Sequence, residues 1–328
     1  MNQTHIFDEH KRTKILAPVL ARGGEGSVYP LSDRADILVK CYHPTVLAQQ
    51  RHILQQKTEA MMRVKLPNSD VLSWPLISVF DEKNQWLGYA MQRKNGVKMH
   101  CLAHAVLYKR HFPQLNRREM VGMLLGLVQQ IQSLHQQGIM IGDYNLNDFL
   151  CDPANHHIYL IDCDSYQLTL AGKYYPCPVG SPDLTPVEHH NKPYSQVVRT
   201  LESESFSLAI ILFKCLMLGR HPYDVVGGED PVSNLRDGNF PYGQGGRGIP
   251  KGAWYNIWSH MPYQLKSLFV RTFKEGASNP SQRPTLKEWQ DSLSLYLREM
   301  DKGWHELAIC PSTSKSAEHR GPKSQTNA

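Results

Sequence analysis

The sequence predicts an α+β fold of two lobes. Short segments rich in β-branched residues, separated by glycine or polar turns, come early in the chain and favour strands. Later segments are longer and carry apolar residues at helical spacing. This order favours a small β-rich lobe followed by a larger helical lobe, with a ligand-binding cleft between them.

The first lobe is expected to contain two pairs of strands with a helix between the pairs. β-branched residues flanking glycine predict the first pair, and a polar turn separates the strands of the second pair. The segment between the pairs has helical composition with several apolar positions. The predicted segments are, in order, Val19–Tyr29, Asp36–Tyr42, Pro44–Lys65, Leu76–Phe80 and Trp86–Met91.

The second lobe is expected to be built on two strongly apolar helices. Arg118–Gln137 has a broad apolar face, and Gly138 ends it. Ser205–Leu218 is so apolar that it predicts a central buried helix. The other predicted elements are the buried strand Ile158–Ile161 and the amphipathic helices Tyr263–Phe273 and Thr285–Leu297.

The two ends of the chain set the expected domain boundaries. We expect residues 1–14 to be an N-terminal extension, 15–93 the first lobe and 94–303 the second lobe. Residues 304–328 are expected to be a disordered tail, because that stretch has almost no large apolar residues.

Two polar stretches have alternative interpretations. The loop-rich stretch Gly227–Gly252 is either a partner-docking loop or a solvated loop. The hydroxyl residues of the tail are candidate autophosphorylation sites, although most such tails are only linkers. These residues are Ser312, Thr313, Ser314 and Ser316.

Composition excludes several classes of protein. The net charge of +6 is mild for 328 residues, and no basic stripe with interleaved aromatics occurs, so no nucleic-acid partner is expected. No apolar run reaches the ~18 residues of a membrane helix, and the N-terminus does not resemble a signal peptide. Seven cysteines without a C-x-x-C pair argue against disulfides or structural zinc, and favour a reducing cytoplasm.

A glycine cluster and a lysine suggest phosphate binding in the first lobe. Gly23, Gly24 and Gly26 lie between strand-like segments, where glycines let backbone amides approach phosphate oxygens; a plain hairpin turn is the alternative. Lys40 ends an apolar strand, where an ammonium is costly unless it meets an anion. Glu59, in the next predicted helix, is a candidate partner for Lys40, although a surface lysine and an unrelated glutamate would look the same.

Three aspartates lie between hydrophobic elements of the second half of the chain. Asp143 follows the apolar segment that comes after the long helix, and Asp148 and Asp162 lie downstream. Carboxylates that converge on one cleft can hold magnesium and accept a proton. For a single aspartate a helix cap or a turn is the commoner role, but for all three together we favour the functional interpretation.

At these motifs the chain resembles the eukaryotic-type protein-kinase superfamily, over about residues 15–298. Ala21–Val28 looks like the glycine-rich loop, with Ala21 in place of the first glycine, and Val28 would touch the adenine ring. Lys40 matches the lysine of V-A-I-K and Glu59 its helix-C partner. The resemblance implies a two-lobed protein-kinase-like fold with ATP and Mg²⁺, or Mn²⁺, as cofactors.

The catalytic loop of this superfamily is similar to Ile141–Asp148. Asp143 then takes the catalytic-base position, Asn145 the position of the catalytic-loop lysine and Asp148 that of the second metal ligand. Asp162 matches the metal-binding aspartate of D-F-G. The wording of these motifs is similar to a bacterial kinase-like subgroup that includes proteins linked to tellurite-resistance and phosphatase gene clusters.

The resemblance continues through the second lobe. It implies a structural ion pair between Glu188 and Arg283, which we expect to be buried. The matching segments are Val179–Glu188, Ser203–Leu212, Gly219–Tyr223 and Asn279–Thr285.

Departures from the family pattern bear on activity. Gly142 stands where most kinases have an arginine that meets an activation-loop phosphate, so switching by loop phosphorylation is not expected. Asn145 removes a cation from the γ-phosphate, at a cost of ~2–4 kcal/mol in the transition state if nothing replaces it. Asp164 replaces the glycine of D-F-G and lacks its freedom at positive φ. Glu204 replaces an aspartate that holds the catalytic loop, and its extra methylene still leaves it within reach.

We therefore favour a working but slow serine/threonine protein kinase that is not switched by activation-loop phosphorylation. The alternative is a nucleotide-binding pseudokinase that acts as a signalling or scaffold module, and a small-molecule kinase of related fold is a third possibility. The expected partners are an unidentified protein substrate and a cognate phosphatase, with neither nucleic acid nor membrane.

Overall fold

The computed structural model describes residues 5–66, 69–170, 172–243, 248–250 and 252–315. The chain divides into two compact units. The first takes the chain up to Asn95 together with Tyr159–Asp164 and Thr169–Tyr175. The second takes Gly96–Ile158, Ser165–Leu168 and the chain from Pro176 onward. The predicted α+β class is confirmed, since a large sheet and many helices share the chain.

The segment Val19–Tyr29, which the sequence predicts as one strand, is divided into two by a glycine turn, and the described strands are short. They are β1 (His5–Asp8), β2 (Thr13–Ile15), β3 (Ala21–Arg22), β4 (Gly26–Pro30), β5 (Ile37–Tyr42), β6 (Pro75–Phe80), β7 (Trp86–Gln92), β8 (Val97–Lys98), β9 (Ile139–Met140), β10 (Phe149–Cys151), β11 (Ile158–Leu160), β12 (Gln167–Leu170) and β13 (Lys173–Tyr175).

Most helices follow the strands in sequence, and the longest ones match the predicted segments within a few residues. They are α1 (Pro44–Met62), α2 (Met99–Leu102), α3 (Leu107–His111), α4 (Arg117–Gln136), α5 (Leu201–Leu216), α6 (Pro231–Arg236), α7 (Ala253–His260), α8 (Tyr263–Val270), α9 (Gly276–Ser278) and α10 (Leu286–Asp301). A π-helical turn, Arg271–Glu275, continues α8.

The first unit is built on a seven-stranded sheet in the order β2-β1-β6-β7-β5-β4-β3. Its paired strands are antiparallel, so each residue has a defined neighbour across the sheet. Lys40 on β5 lies opposite Val28 on β4 and Tyr89 on β7. Because β1 and β2 belong to this sheet, the expected N-terminal extension is part of the first unit, at least from His5 onward.

Helix α1 packs on β6 and β7 of that sheet. It starts at Pro44, whose fixed φ and missing N–H suit the first turn of a helix. Leu47 and Met61 are buried on its sheet side, while Ile53 is exposed. The helix therefore covers the sheet with one stripe of its surface.

The second unit has α4 and α5 among its main helices. A capping box, in which Asn116 and Glu119 exchange hydrogen bonds, starts α4, whose apolar face packs on α10. Thr200 and Ser203 start α5 in the same way. Nearly every side chain of α5 is buried, and Phe213 lies inside a cluster of aromatic rings. The prediction of a central buried helix is confirmed.

The expected disordered tail is wrong for residues 304–315. Ile309 is buried, and its carbonyl accepts a hydrogen bond from the buried guanidinium of Arg117. Asn256 on α7 donates to the carbonyls of Pro311 and Ser312, at 3.2 and 3.0 Å. Backbone carbonyls and one apolar side chain thus anchor a segment whose composition is polar. Ser316 and the rest of the predicted tail lie outside the described residues.

Three further observations concern the described part of the chain. Its stretch between Gly227 and Gly252 contains α6, which Asp230 caps through the amides of Val232 and Ser233. None of the helices described is long and apolar enough to cross a membrane. All seven cysteines have free thiols, and six of them are buried.

Candidate active site

The glycine-rich segment forms a tight hairpin between β3 and β4. The amide of Gly23 donates to the carbonyl of Gly26 at 2.8 Å, and His43 holds the hairpin through the carbonyls of Gly23 and Glu25. A Cβ at Gly24 would meet nothing within 4 Å. A Cβ at Gly26 would lie 2.6 Å from a carbonyl oxygen of β5, so glycine is required there by strand packing.

The side chain of Lys40 is buried and makes hydrogen bonds to two aspartates. Its ammonium lies 2.6 Å from an oxygen of Asp162, and 2.8 and 2.9 Å from the two oxygens of Asp164. Only 8% of the lysine side chain is exposed. Burial alone would lower the pKa of Lys40, but the two carboxylates raise it above its ordinary value, so the ammonium stays charged.

The predicted ion pair between Lys40 and Glu59 is not formed in the structure. Glu59, on the last turns of α1, accepts hydrogen bonds from Gln55 at 2.8 Å and from Ser78 at 3.4 Å. Asp164 instead offers both carboxylate oxygens to the lysine. The family resemblance gives Asp164 only a backbone role, because the family has glycine at this position and glycine carries no charge.

Asp162 and Asp164 differ in exposure. The side chain of Asp162 is 53% exposed, and that of Asp164 is 5% exposed. Asp162 has a φ of 59°, in the left-handed region, which aspartate tolerates better than most residues. Asp162 therefore presents a carboxylate to the surface of the first unit, next to the ammonium of Lys40.

Burial and charge act in opposite directions on Asp164. Burial would raise its pKa, but the nearby ammonium of Lys40 and a hydrogen bond from the hydroxyl of Tyr42 hold it below its ordinary value. Burial, and then the negative charge of Asp164, raises the pKa of Tyr42 well above its ordinary value. The carboxylate is thus ionised while both of these partners remain protonated.

The residues of the first unit fit a nucleotide phosphate group. A buried ammonium lies on β5, and the glycine hairpin on the neighbouring strands leaves open space beside Gly24. Val28 is half-buried against the apolar core of the sheet, opposite Lys40. The exposed carboxylate of Asp162 is the kind of ligand that Mg²⁺ prefers.

In the second unit a single carboxylate holds the segment that carries Asp143. Glu204, on the first turn of α5, accepts hydrogen bonds from the amides of Ile141 and Gly142, at 2.8 and 2.9 Å. The hydroxyl of Tyr144, at 3.0 Å, also donates to it. The expectation that glutamate still reaches this loop is confirmed.

Gly142 has no room for a side chain. Its φ is 78°, and a Cβ would lie 2.7 Å from the sulfur of Cys177 and 3.2 Å from Nε of Arg199. Arg199, which the sequence analysis did not single out, is buried and donates to the carbonyl of Val179 at 2.9 Å. The arginine that most kinases carry at this position is therefore excluded here by sterics, and the guanidinium of Arg199 lies beside the position.

Asp143, Asn145 and Asp148 follow one another along this loop. Asp143 accepts a hydrogen bond from the hydroxyl of Ser181 at 3.3 Å. The side-chain oxygen of Asn145 accepts from the amide of Asn147 at 2.9 Å, and its carbonyl accepts from the amide of Asp148. Asn145 thus stabilises a turn of the loop, as asparagine often does.

The predicted metal ligands fall in different units. Asp162 belongs to the first unit, and Asp143 and Asp148 to the second. No three His, Cys, Asp or Glu side chains form a metal-binding group within the described ranges. The convergence of these three carboxylates on one cleft stays a prediction.

The predicted pair between Glu188 and Arg283 is confirmed. Two nitrogens of Arg283 donate to the two oxygens of Glu188, at 2.6 and 2.9 Å. The arginine side chain is fully buried, whereas 34% of the glutamate side chain is exposed, so the pair is buried on one side only. Burial raises the pKa of Glu188, but Arg283 outweighs it and holds the pKa below its ordinary value.

Comparison with known proteins points in one direction. No protein-family model matches the chain. It is 25% identical over 295 residues to protein kinase YegI of Escherichia coli O157:H7, which covers 86% of this chain and 45% of that protein. It is 24% identical over 309 residues to protein kinase YegI of Escherichia coli K12, which covers 90% of this chain and 47% of that protein.

The chain thus spans about half the length of the curated relatives that it matches. The similarity covers nearly all of this chain. Together with the α+β fold, this similarity supports a bacterial protein-kinase-like family.

Proposed function

We propose that this protein transfers the γ-phosphoryl group of ATP to a serine or threonine hydroxyl of a protein substrate. The observation that carries the proposal is the hydrogen bond of 2.6 Å between Lys40 and Asp162. It joins a buried cation suited to phosphate oxygens with an exposed carboxylate suited to a metal ion. The name of the relatives, protein kinase, supports the same reaction class.

Each residue has a role in this proposal. The amides of Gly23, Gly24 and Gly26, with the ammonium of Lys40, hold the nucleotide phosphates, and Val28 contacts the base. Asp162 and Asp148 hold Mg²⁺ or Mn²⁺. ATP and its metal supply the phosphoryl group and neutralise its charge.

Asp143 is proposed to accept the proton of the substrate hydroxyl while the hydroxyl oxygen bonds to the γ-phosphorus of ATP, the bond from that phosphorus to the β–γ bridging oxygen breaks, and ADP leaves. Glu204 keeps the backbone on the N-terminal side of Asp143 in place. A base held by backbone hydrogen bonds loses little freedom on substrate binding, which favours catalysis. Gly142 supplies no cation for an activation-loop phosphate, so we propose that loop phosphorylation does not switch the enzyme.

Asn145 favours a second candidate function, a nucleotide-binding pseudokinase. Its side chain is neutral and is bonded within the loop, so it supplies no cation to the γ-phosphate. A slow kinase and a pseudokinase differ only in whether bound ATP is turned over. Glu59 has no role in either candidate function, because its carboxylate is hydrogen-bonded to Gln55 and Ser78 rather than to Lys40.

The setting of the reaction is also a proposal. A bacterial cytoplasm would keep the seven thiols reduced. An unidentified protein substrate and a cognate phosphatase are the proposed partners.

The test is transfer of label from ATP, with Mg²⁺ or Mn²⁺, to the protein itself and to a generic basic protein. Asp143→Ala, Asp162→Ala and Lys40→Ala are compared with Glu82→Ala, a control in the exposed turn between β6 and β7. We expect losses of about 10²-fold or more in the first three and none in the control.

Nucleotide binding is measured on the same samples. Binding without any transfer by the unchanged protein supports the pseudokinase. Absence of both binding and transfer contradicts both candidate functions.

A further inference from the structure

We propose that Asp164 is the carboxylate that positions Lys40 for the nucleotide, in place of Glu59. This proposal rests on the proposed function, since it assigns a positioning residue within that site. It differs from the family resemblance, which gives that role to Glu59 and puts glycine at the position of Asp164.

The first argument is the geometry of the three carboxylates. Both oxygens of Asp164 lie within hydrogen-bond distance of the lysine ammonium, at 2.8 and 2.9 Å. Glu59 is bonded to the amide of Gln55 and the hydroxyl of Ser78, which lies next to α1 on β6. A two-oxygen contact fixes the ammonium in direction as well as in distance.

The second argument is the difference in burial between Asp162 and Asp164. A carboxylate that binds a metal must leave the lysine, at least in part, when the metal arrives. Asp162, with 53% of its side chain exposed, is placed for that exchange. Asp164, with 5% exposed, is shielded from a metal and keeps its contact with the lysine.

The third argument is that the sheet forms a pocket for Asp164. Lys40 and Tyr42 are two positions apart on β5, so their side chains lie on the same face of the sheet. Tyr89 on β7 lies opposite Lys40. The hydroxyl of Tyr42 donates to Asp164, and its ring lies 5.3 Å from the lysine nitrogen. The buried hydroxyl of Tyr89 has no hydrogen-bond partner among the described residues, and it lies within electrostatic reach of the same carboxylate.

This pocket accounts for the cost of burying Asp164. A carboxylate without partners would be expensive in the interior, and the ammonium of Lys40 and the hydroxyl of Tyr42 offset that cost. A kinase needs a negative charge beside its lysine. In this proposal Asp164, on the segment after β11, supplies that charge, and Glu59 on α1 does not.

The test uses the full chain and two isosteric changes, Asp164→Asn and Glu59→Gln. The first readout is acetylation of Lys40 by an amine-reactive reagent, followed by mass spectrometry. Removing the charge of its true partner lowers the pKa of Lys40, and one unit makes the neutral amine about tenfold more abundant. We expect about a tenfold increase for Asp164→Asn and less than a twofold change for Glu59→Gln.

Lys57, a second buried lysine of the same unit, is the internal reference. If Asp164 positions only Lys40, labelling of Lys57 stays unchanged in Asp164→Asn. A parallel rise at both lysines would mean that the unit has loosened as a whole, and that result overturns the proposal. So does an increase caused by Glu59→Gln and not by Asp164→Asn.

The second readout is steady-state kinetics with varied ATP, from which kcat and KM are determined separately. A misplaced lysine costs about 10²-fold in kcat/KM for ATP, and we expect Asp164→Glu to recover part of it. If the unchanged protein transfers no phosphate, the proposed function fails but the labelling result still decides the role of Asp164.

A milder variant covers the case in which Asp164→Asn does not fold. Tyr42→Phe keeps the ring and removes the hydrogen bond to Asp164. We expect Lys40 to be acetylated faster in Tyr42→Phe than in Tyr29→Phe, a control on the neighbouring strand β4. Equal rates in the two variants would contradict the proposal.

Discussion

The hydrogen bonds of Glu204 give the sharpest prediction about the catalytic loop. One carboxylate oxygen accepts from the amide of Gly142. The other accepts from the amide of Ile141, the hydroxyl of Tyr144 and the ring of His135. The carboxylate is 1% exposed, so water does not replace a lost bond.

Glu204→Gln keeps the shape of the side chain and removes the charge. The new amide NH₂ has to face at least one donor, and the best choice is the amide of Gly142, since the other oxygen serves three donors. An unsatisfied buried amide costs about 1–3 kcal/mol, and the remaining bonds weaken from charged to neutral by about 1 kcal/mol in total. The expected loss in the free energy of unfolding is therefore about 2–4 kcal/mol.

Urea unfolding and amide hydrogen exchange measure this loss. Exchange at Gly142 should accelerate much more than exchange in the middle of α5, and kcat should fall because the backbone next to Asp143 is freed. Glu202→Gln is the matched control, an exposed glutamate on the first turn of the same helix. A change below about 0.5 kcal/mol for Glu204→Gln, with unchanged exchange at Gly142, would refute this reasoning.

Three further predictions concern stability. Glu188→Gln leaves the buried guanidinium of Arg283 without a carboxylate and should lower the free energy of unfolding in urea by about 2–3 kcal/mol. This is below the full value for a buried pair because Glu188 is partly exposed. A loss smaller than that of the exposed control Glu82→Gln would contradict the prediction. His221 accepts from the amide of Tyr223 through Nδ1, donates to the carbonyl of Asp183 and is buried, which lowers its pKa to about 3. Between pH 6.5 and 3 the imidazole of His221 binds a proton in the unfolded chain but not in the folded chain, so the free energy of unfolding falls as the pH is lowered, by up to about 2 kcal/mol from pH 6.5 to 5. His221→Gln should therefore reduce the slope of the unfolding free energy against pH. An unchanged slope would contradict this prediction. Gly26→Ala places a methyl group against a carbonyl of β5 and should cost about 1–3 kcal/mol, whereas Gly24→Ala, with open space around it, should cost little; equal melting temperatures for the two variants would contradict this assignment.

Patterns within short stretches of the sequence determined the elements of the fold. Apolar periodicity located α4, α5 and α10 within a few residues. β-branched residues flanking glycine located the pairing of β4 with β5, although the glycine turn divides the predicted strand Val19–Tyr29 into β3 and β4. The motif resemblance also identified the partners Glu188 and Arg283, far apart in sequence. These predictions succeeded because each depends on local periodicity or on a pairing that the family repeats.

Only the tertiary structure decided which groups meet where the chain departs from the family. Lys40 pairs with Asp162 and Asp164 rather than with Glu59, because the fold brings these two carboxylates within hydrogen-bond distance of the lysine ammonium. The same reasoning applies to residues 304–315, whose polar composition predicts disorder.

The order of residues 304–315 comes from backbone carbonyls that accept hydrogen bonds from Arg117 and Asn256, and from the burial of Ile309. Composition records the side chains that a segment carries, whereas the hydrogen bonds of its backbone depend on what the rest of the chain places beside it. The sequence therefore determined the elements and the candidate residues, and the tertiary structure decided their partners, because ion pairs and backbone contacts form between positions that no local pattern connects.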